Sequence, residues 1–93
     1  MESKKNEFVI FVSGSTPTEN LGQSIVAAFS DKTEVFVRCI GANAGWQALK
    51  GIIVARSLSV AKGVDFDIMP YFKDVILSEK QVTAVEFCLK LKR

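Results

Sequence analysis

The first half of the chain contains two stretches with the hydrophobic pattern of β-strands. Residues 8–12, FVIFV, are apolar at every position, which is typical of a central strand buried on both faces or covered on one face by a partner. Residues 33–40 place Val35, Val37 and Cys39 on one face and a mixed set on the other, which predicts a second strand. A turn is expected after each, at residues 13–16 and at Gly41.

The last third of the chain has the alternation of a β-hairpin. Residues 64–69, VDFDIM, alternate strictly between apolar and polar, and residues 82–91 alternate again after a polar turn at 78–81. Pro70 lacks a backbone N–H, so it favours an edge strand or a bulge, and we expect residues 71–77 to continue the same strand. The side chains predicted to point inward are those of Val64, Phe66, Ile68, Val85, Phe87, Leu89 and Leu91.

Two helices are predicted between these strands. The segment TPTE at 16–19 has the spacing of a capping box with proline at the first helical position, and the helix that follows buries Leu21, Ile25 and Phe29. A second helix runs from about residue 43 to about residue 60, because apolar residues continue there without a strand-like alternation.

The second helix is apolar almost all round its axis, whereas a helix that covers one side of a sheet needs only a stripe. If the surplus apolar surface is exposed, it forms the kind of patch that marks an interface. We therefore expect a homodimer, with a candidate interface at Trp46, Ile53, Val54 and Leu58. The alternative is that the first helix and the chain ends cover the surplus.

The predicted order is β-α-β-α-β-β in a single α/β domain of two layers, residues 8–93, after a flexible segment at 1–7. Right-handed crossovers place both helices on one face of a mixed four-stranded sheet. In that arrangement the loops at 13–16 and 41–45 emerge from the same end of the sheet. A glycine-spaced turn before a helix also directs backbone N–H groups and a positive helix end at what lies in front of it.

The net charge is only +2, but its distribution is uneven. No acid lies between Glu34 and Asp65, while four cations do, which indicates either a polyanion footprint or ordinary solubilising charges. The cations are Arg38, Lys50, Arg56 and Lys62. No apolar run is long enough for a membrane span and the first residues lack a signal peptide, so we expect a cytoplasmic protein with no membrane association.

The composition argues against catalysis and against a resident metal or cofactor. The chain has no histidine, no carboxylate pair in an apolar surrounding, and no base beside Ser13, Ser15 or Thr16. Two isolated cysteines make a zinc site improbable, and no nucleotide-binding glycine motif occurs. We therefore expect a non-enzymatic protein without a cofactor or metal.

Residues 40–75 contain a distinctive set of residues: Ile40, Gly41, Ala42, Ala44, Gln47, Ala48, Lys50, Ala55, Arg56, Gly63, Val64, Asp65, Pro70, Phe72 and Asp74. With these residues the stretch resembles the stage V sporulation protein S family, which is similar in turn to the Alba proteins. The resemblance covers about nine tenths of the chain when the more loosely matching VSGSTP segment and Gly22 are included. It implies a dimeric, Alba-like β-α-β-α-β-β protein that binds RNA or DNA.

The resemblance also implies where nucleic acid approaches. The implied contacts are the loop after the first strand (Ser15, Thr16), the start of the second helix (Gly41, Asn43, Gln47, Lys50) and the last hairpin (Lys73, Lys80). From the charge distribution, Arg56 and Lys62 are further candidate phosphate contacts, and Trp46 could stack on a base. Two other functions stay open: a regulatory module that binds another protein through the apolar helix and hairpin edge, and small-anion binding at the Gly41–Gly45 corner.

Overall fold

The computed structural model describes residues 7–92. Its elements are β1 (Val9–Val12), α1 (Thr18–Ala28), β2 (Glu34–Cys39), α2 (Ala42–Ala61), β3 (Phe66–Leu77) and β4 (Lys80–Leu91). The predicted order β-α-β-α-β-β is therefore confirmed. Apart from Glu7, the segment predicted to be flexible lies outside the described residues. No helix within residues 7–92 combines the length and the apolar character needed to cross a membrane.

The four strands form one mixed sheet in the order β1-β2-β4-β3. β1 runs parallel to β2, and β4 runs antiparallel to both β2 and β3. The prediction that residues 8–12 form a central strand is wrong, because β1 is an edge strand on which Phe11 is 71% exposed. The other edge is β3, so the edge position predicted from Pro70 is confirmed.

The core lies between one face of the sheet and both helices, as predicted. Its buried residues on the sheet are Val12, Val35, Val37, Cys39, Phe66 and Leu89, and on the helices Leu21, Ile25, Ala28, Ala44, Ala48, Ile52 and Ala55. Side chains alternate along a strand, so the other face of the sheet carries no helix. We call it the open face; Phe11, Arg38, Tyr71 and Glu86 lie on it.

Only part of the predicted burial of the last hairpin is correct. Phe66 is buried and its ring centroid lies 5.2 Å from that of Phe29, but Val64 and Ile68 are exposed. Val64 precedes β3, and Ile68 lies on an edge strand that the helices do not reach across fully. Strict alternation identifies the inward face of a strand, whereas its burial depends on how far the covering layer extends.

The two helices pack closely because small residues lie between them. The buried positions of α2 are Ala44, Ala48, Gly51, Ile52, Ala55 and Ser59. Gly22 of α1 faces Val54, and Gly51 of α2 faces Leu21, so neither glycine has space for a Cβ. The large apolar residues of α2 are consequently left outside this contact: Trp46, Leu49, Ile53, Leu58 and Val60 are exposed. The predicted surplus of apolar helix surface is therefore present.

Candidate nucleic-acid interface

Two loops meet where β1 and β2 end. Because these strands are parallel, the loop after β1 and the turn before α2 leave the same edge of the sheet, as predicted. A Cβ built on Gly14 would lie 3.1 Å from the Asn43 Cβ, so the loops are in close contact. The Gln47 side-chain amide donates a hydrogen bond to the Thr16 carbonyl oxygen at 2.6 Å and joins α2 to the first loop.

The first loop is closed by its own hydroxyl groups. The Ser13 backbone N–H donates to Thr16 Oγ1 at 2.9 Å, and the Ser15 backbone N–H donates to Ser13 Oγ at 3.2 Å. The predicted capping box is wrong, because α1 begins after Pro17 without a side-chain cap. The Thr16 hydroxyl closes the preceding turn instead. Ser15 remains exposed at the surface of this loop.

The second helix begins directly after a glycine with positive φ. Gly41 has φ 94°, a backbone conformation that side chains disfavour, and no side chain caps the helix. The first intrahelical bond runs from the Gly45 N–H to the Gly41 carbonyl oxygen at 3.0 Å. The backbone N–H groups of residues 42–44 therefore have no partner within the helix, and the first turn holds no acid. Such a helix start favours an anion.

A cavity of about 510 Å³ lies in front of this helix start. Its walls come from both loops and from the open face, since Phe11 and Arg38 line it together with residues 12–14 and 39–44. Of the predicted site residues, Gly41 and Asn43 line this cavity. Ser15, Thr16 and Gln47 belong to the adjoining loop contact and do not line it.

The predicted cations of α2 are spread along the helix. The Lys50 Nζ lies 5.4 Å from the centroid of the Trp46 ring, and Lys50 is about 12 Å along the axis from the first residue of the helix. Arg56 is further along and its Nε pairs with Asp65 Oδ1 at 3.2 Å. Lys62 follows the last turn, about 30 Å along the axis from the first residue of the helix. Of these three cations, Lys50 is thus the one nearest the start of the helix.

The hairpin cations form a separate group. Lys73 lies on β3 opposite Ala84, on the open face, and Lys80 begins β4 opposite Leu77 beside the turn. Both strands have twelve residues, twice the length of β2, so the hairpin extends beyond the body of the sheet. The structure keeps Lys80 at the end of this extension, away from the two loops.

The residues of the candidate dimer interface lie on two faces of α2. Trp46 and Ile53 are exposed on the outer side of the helix, where Val60 continues the same stripe. Val54 is packed against α1, and Leu58 lines a groove between the two helices. A partner could therefore contact Trp46 and Ile53 on the outer side of α2, whereas Val54 lies on a different side of the helix.

Sequence reasoning missed a row of four side chains that crosses the whole open face. Tyr71, Glu86, Arg38 and Phe11 occupy directly opposed positions on β3, β4, β2 and β1. Arg38 Nε donates to Glu86 Oε1 at 2.6 Å, and the Tyr71 hydroxyl donates to Glu86 Oε2 at 2.6 Å. The Arg38 guanidinium carbon lies 5.3 Å from the centroid of the Phe11 ring. Glu86 is only 1% exposed although no helix covers it.

Hydrogen bonds and burial shift the pKa of two side chains, Tyr71 in this row and Asp65 beside Arg56. Burial, followed by the hydrogen bond to Glu86, raises the pKa of the Tyr71 hydroxyl well above its ordinary value. A backbone hydrogen bond from Phe66, with smaller effects of Arg56 and Lys92, lowers the pKa of Asp65. Asp65 thus stays ionised beside Arg56, which leaves that cation less available to a phosphate.

Comparison with known proteins places the fold and the family. The structure is similar to that of Alba from Thermoplasma volcanium, with a TM-score of 0.58 and 17% sequence identity over 91% of this chain and 99% of that one. This similarity confirms the Alba-like fold. A family model described as Stage V sporulation protein S (SpoVS) matches residues 8–92. The chain therefore belongs to the Stage V sporulation protein S family.

Proposed function

We propose that this protein is a cytoplasmic, non-catalytic regulator in sporulation that binds RNA or DNA as a homodimer. The observation that carries the proposal is the contact between the first loop and the uncapped start of α2. Membership of the Stage V sporulation protein S family supports the process, and the Alba-like fold supports the mode of binding.

The phosphate contacts follow from the local chemistry. Free backbone N–H groups at the start of α2 suit a phosphate oxygen, and Asn43 offers an exposed amide beside them. Lys50, which lies over the Trp46 ring two turns into the helix, supplies the nearest positive charge on α2. Gln47 has a different role in this arrangement, because its amide nitrogen already holds the Thr16 carbonyl and so positions the first loop.

The homodimer follows from the apolar surface on the outer side of α2. Trp46, Ile53 and Val60 are each more than half exposed, and Ile68 and Phe72 of β3 are exposed next to this side of the molecule. A shallow groove lined by Ile53, Val60 and Ile68 connects the helix with the strand. A second copy of the chain would cover this surface and would bring a second Lys50 to the assembly.

Salt-dependent binding tests the proposal. We expect the protein to bind mixed single- and double-stranded oligonucleotides at low salt, with an affinity that falls as salt rises. Lys50→Gln should reduce the slope of log affinity against log salt by about 0.9 for each lost phosphate contact. Lys62→Gln is the matched control, because it removes one charge at the far end of α2.

No binding at low salt would remove the proposal, and binding without salt dependence would contradict its mechanism. Equal loss of slope in both lysine variants would show that the charge acts at long range and not at the loops. Sedimentation at micromolar concentration checks the assembly, and a particle of single-chain mass would contradict the homodimer.

A second candidate function is regulation through another protein without nucleic acid. The pairing of Arg56 and Lys92 with Asp65 favours it, since fewer cations are left for a polyanion. Affinity capture from lysate, with and without nuclease treatment, separates the two functions. Partners that remain after nuclease support this candidate, whereas partners that disappear support nucleic-acid binding.

A further inference from the structure

Phe11 is 71% exposed and has no role in the functions proposed above. Phe11 is on the open face, whereas the apolar surface of α2 is on the other side of the sheet. Its neighbours are mixed: the Arg38 guanidinium, Ser13 and the backbone at the start of α2 are polar, whereas Ile40 and Ala42 are apolar. A ring beside a cation in a partly apolar cavity suits a flat ligand that carries negative charge.

The row of side chains across the open face holds Arg38 in position next to Phe11. Glu86 is the only described residue that accepts a hydrogen bond from Arg38, and it accepts from Nε alone. The side chain of Arg38 is 15% exposed and its guanidinium lies over the Phe11 ring. Tyr71 holds the second oxygen of Glu86 and so fixes the carboxylate. The ring and the cation therefore form a preformed pair at the edge of the cavity.

We propose that Phe11 stacks on an unpaired base of a single-stranded nucleic acid, whose adjoining phosphate lies at the start of α2. The inference rests on the proposed function and names its substrate class. The cavity of about 510 Å³ has room for one nucleotide, since small-ligand sites span about 300–1,000 Å³. Aromatic side chains on an exposed sheet face and Arg planes both stack on bases.

Single-stranded nucleic acid fits this site better than a duplex does. The bases of a duplex are stacked on each other and offer only their edges in the grooves, so none can lie flat on Phe11. An unpaired base can lie flat on Phe11, and the phosphate backbone attached to that base then faces Arg38 and the N–H groups at residues 42–44. One cavity is lined by both Phe11 and the start of α2, as a site for one nucleotide and its phosphate requires.

The test compares Phe11 on β1 with Phe8, which directly precedes that strand. Phe11→Ala should weaken binding of a single-stranded oligonucleotide by roughly 5- to 150-fold, the range for removal of one base-stacking aromatic. Phe8→Ala is the matched control, because Phe8 also has a cation over its ring, Lys32 at 5.7 Å, but lies away from the cavity. Its affinity should equal that of the unmodified protein. Phe11→Tyr keeps the aromatic ring and should retain binding.

Three ligands are titrated against each protein: a single-stranded oligonucleotide of about ten residues, a duplex of the same length, and a mononucleotide. We expect the unmodified protein to prefer the single strand and Phe11→Ala to lose that preference. Ultraviolet cross-linking of an oligothymidylate should attach the base to Phe11. Thermal unfolding of each variant checks that the fold is unchanged, which the exposure of Phe11 leads us to expect.

Each outcome decides the proposal. Salt-dependent binding that is the same in Phe11→Ala and in the unmodified protein overturns the stacking site and leaves the proposed function intact. Tighter binding of the duplex, or mononucleotide binding that Phe11→Ala does not weaken, also overturns it. Failure of the unmodified protein to bind any nucleic acid at low salt removes the proposed function together with this inference.

Discussion

Replacement of Glu86 by Gln tests how the open face is held together. Glu86 is buried and accepts hydrogen bonds from Arg38 and Tyr71, each at 2.6 Å. The Gln side chain has nearly the same shape but no charge, so the Arg38 cation keeps its buried position without a counter-ion. Removing one partner of a buried ion pair is costly because the remaining charge stays desolvated.

The magnitude follows from burial. Breaking a buried pair costs about 3–5 kcal/mol, and because Gln can still accept one hydrogen bond we expect about 3 kcal/mol for Glu86→Gln. Glu34→Gln is the matched control, since Glu34 and Lys90 are opposed on the same two strands but are exposed and 3.9 Å apart. An exposed pair of this kind contributes about 0.5 kcal/mol or less.

Thermal unfolding at a fixed protein concentration measures both variants against the unmodified protein. The melting temperature should fall by about 12–24 °C for Glu86→Gln and hardly at all for Glu34→Gln, at about 4–8 °C per kcal/mol. The double variant Arg38→Met with Glu86→Gln removes both charges and should be more stable than Glu86→Gln alone. An equal loss of stability in Glu86→Gln and Glu34→Gln would refute the reasoning.

Two further predictions concern packing and pH. Gly51→Ala should destabilise the fold by about 1–2 kcal/mol, because the added Cβ meets Leu21 and the cost of overpacking exceeds the gain in helix propensity of about 1 kcal/mol. A Cβ at Gly45 has space, so Gly45→Ala should stabilise the fold by that gain in helix propensity. Denaturant unfolding of both variants checks the opposite signs. The raised pKa of Tyr71 means that its stabilising effect is complete below the ordinary phenol pKa of about 10 and is lost as the pH rises toward the folded value. Since Tyr71 is the only tyrosine, the absorbance of its phenolate reports this titration directly. Tyr71→Phe should remove the associated loss of stability above pH about 10. A Tyr71 phenol that titrates at its ordinary pKa in the folded protein would contradict the prediction.

The order of elements was predictable because it depends on local periodicity. The alternation in residues 64–69 and 82–91 and the stripe Leu21, Ile25 and Phe29 each report a single element and its buried side. The position of β1 was not predictable in this way. Its apolar run fits a central strand, but the antiparallel pairing of β4 with β2 leaves β1 with one neighbour.

The part of the candidate site that was predictable from the sequence is the part that the direction of the strands determines. Parallel strands that end together bring the loop at 13–16 to the turn at Gly41, and the sequence predicts this meeting. The row from Phe11 to Tyr71 depends on register, because Arg38 and Glu86 are 48 residues apart and meet only in the folded sheet. The one sequence signal is a carboxylate between two apolar residues of a strand, which requires a buried partner that the sequence does not identify.

The two proposed surfaces lie on opposite sides of the sheet, so one small domain has room for both. The outer side of α2, with Trp46 and Ile53, faces away from the open face that carries Phe11. A second copy that covers α2 leaves Phe11 and its cavity exposed. The loops at the start of α2 lie between the two surfaces, so phosphates bound there can be reached from the open face of each copy. A homodimer of this kind would carry two Phe11 cavities, and its affinity should gain from two linked sites on one strand.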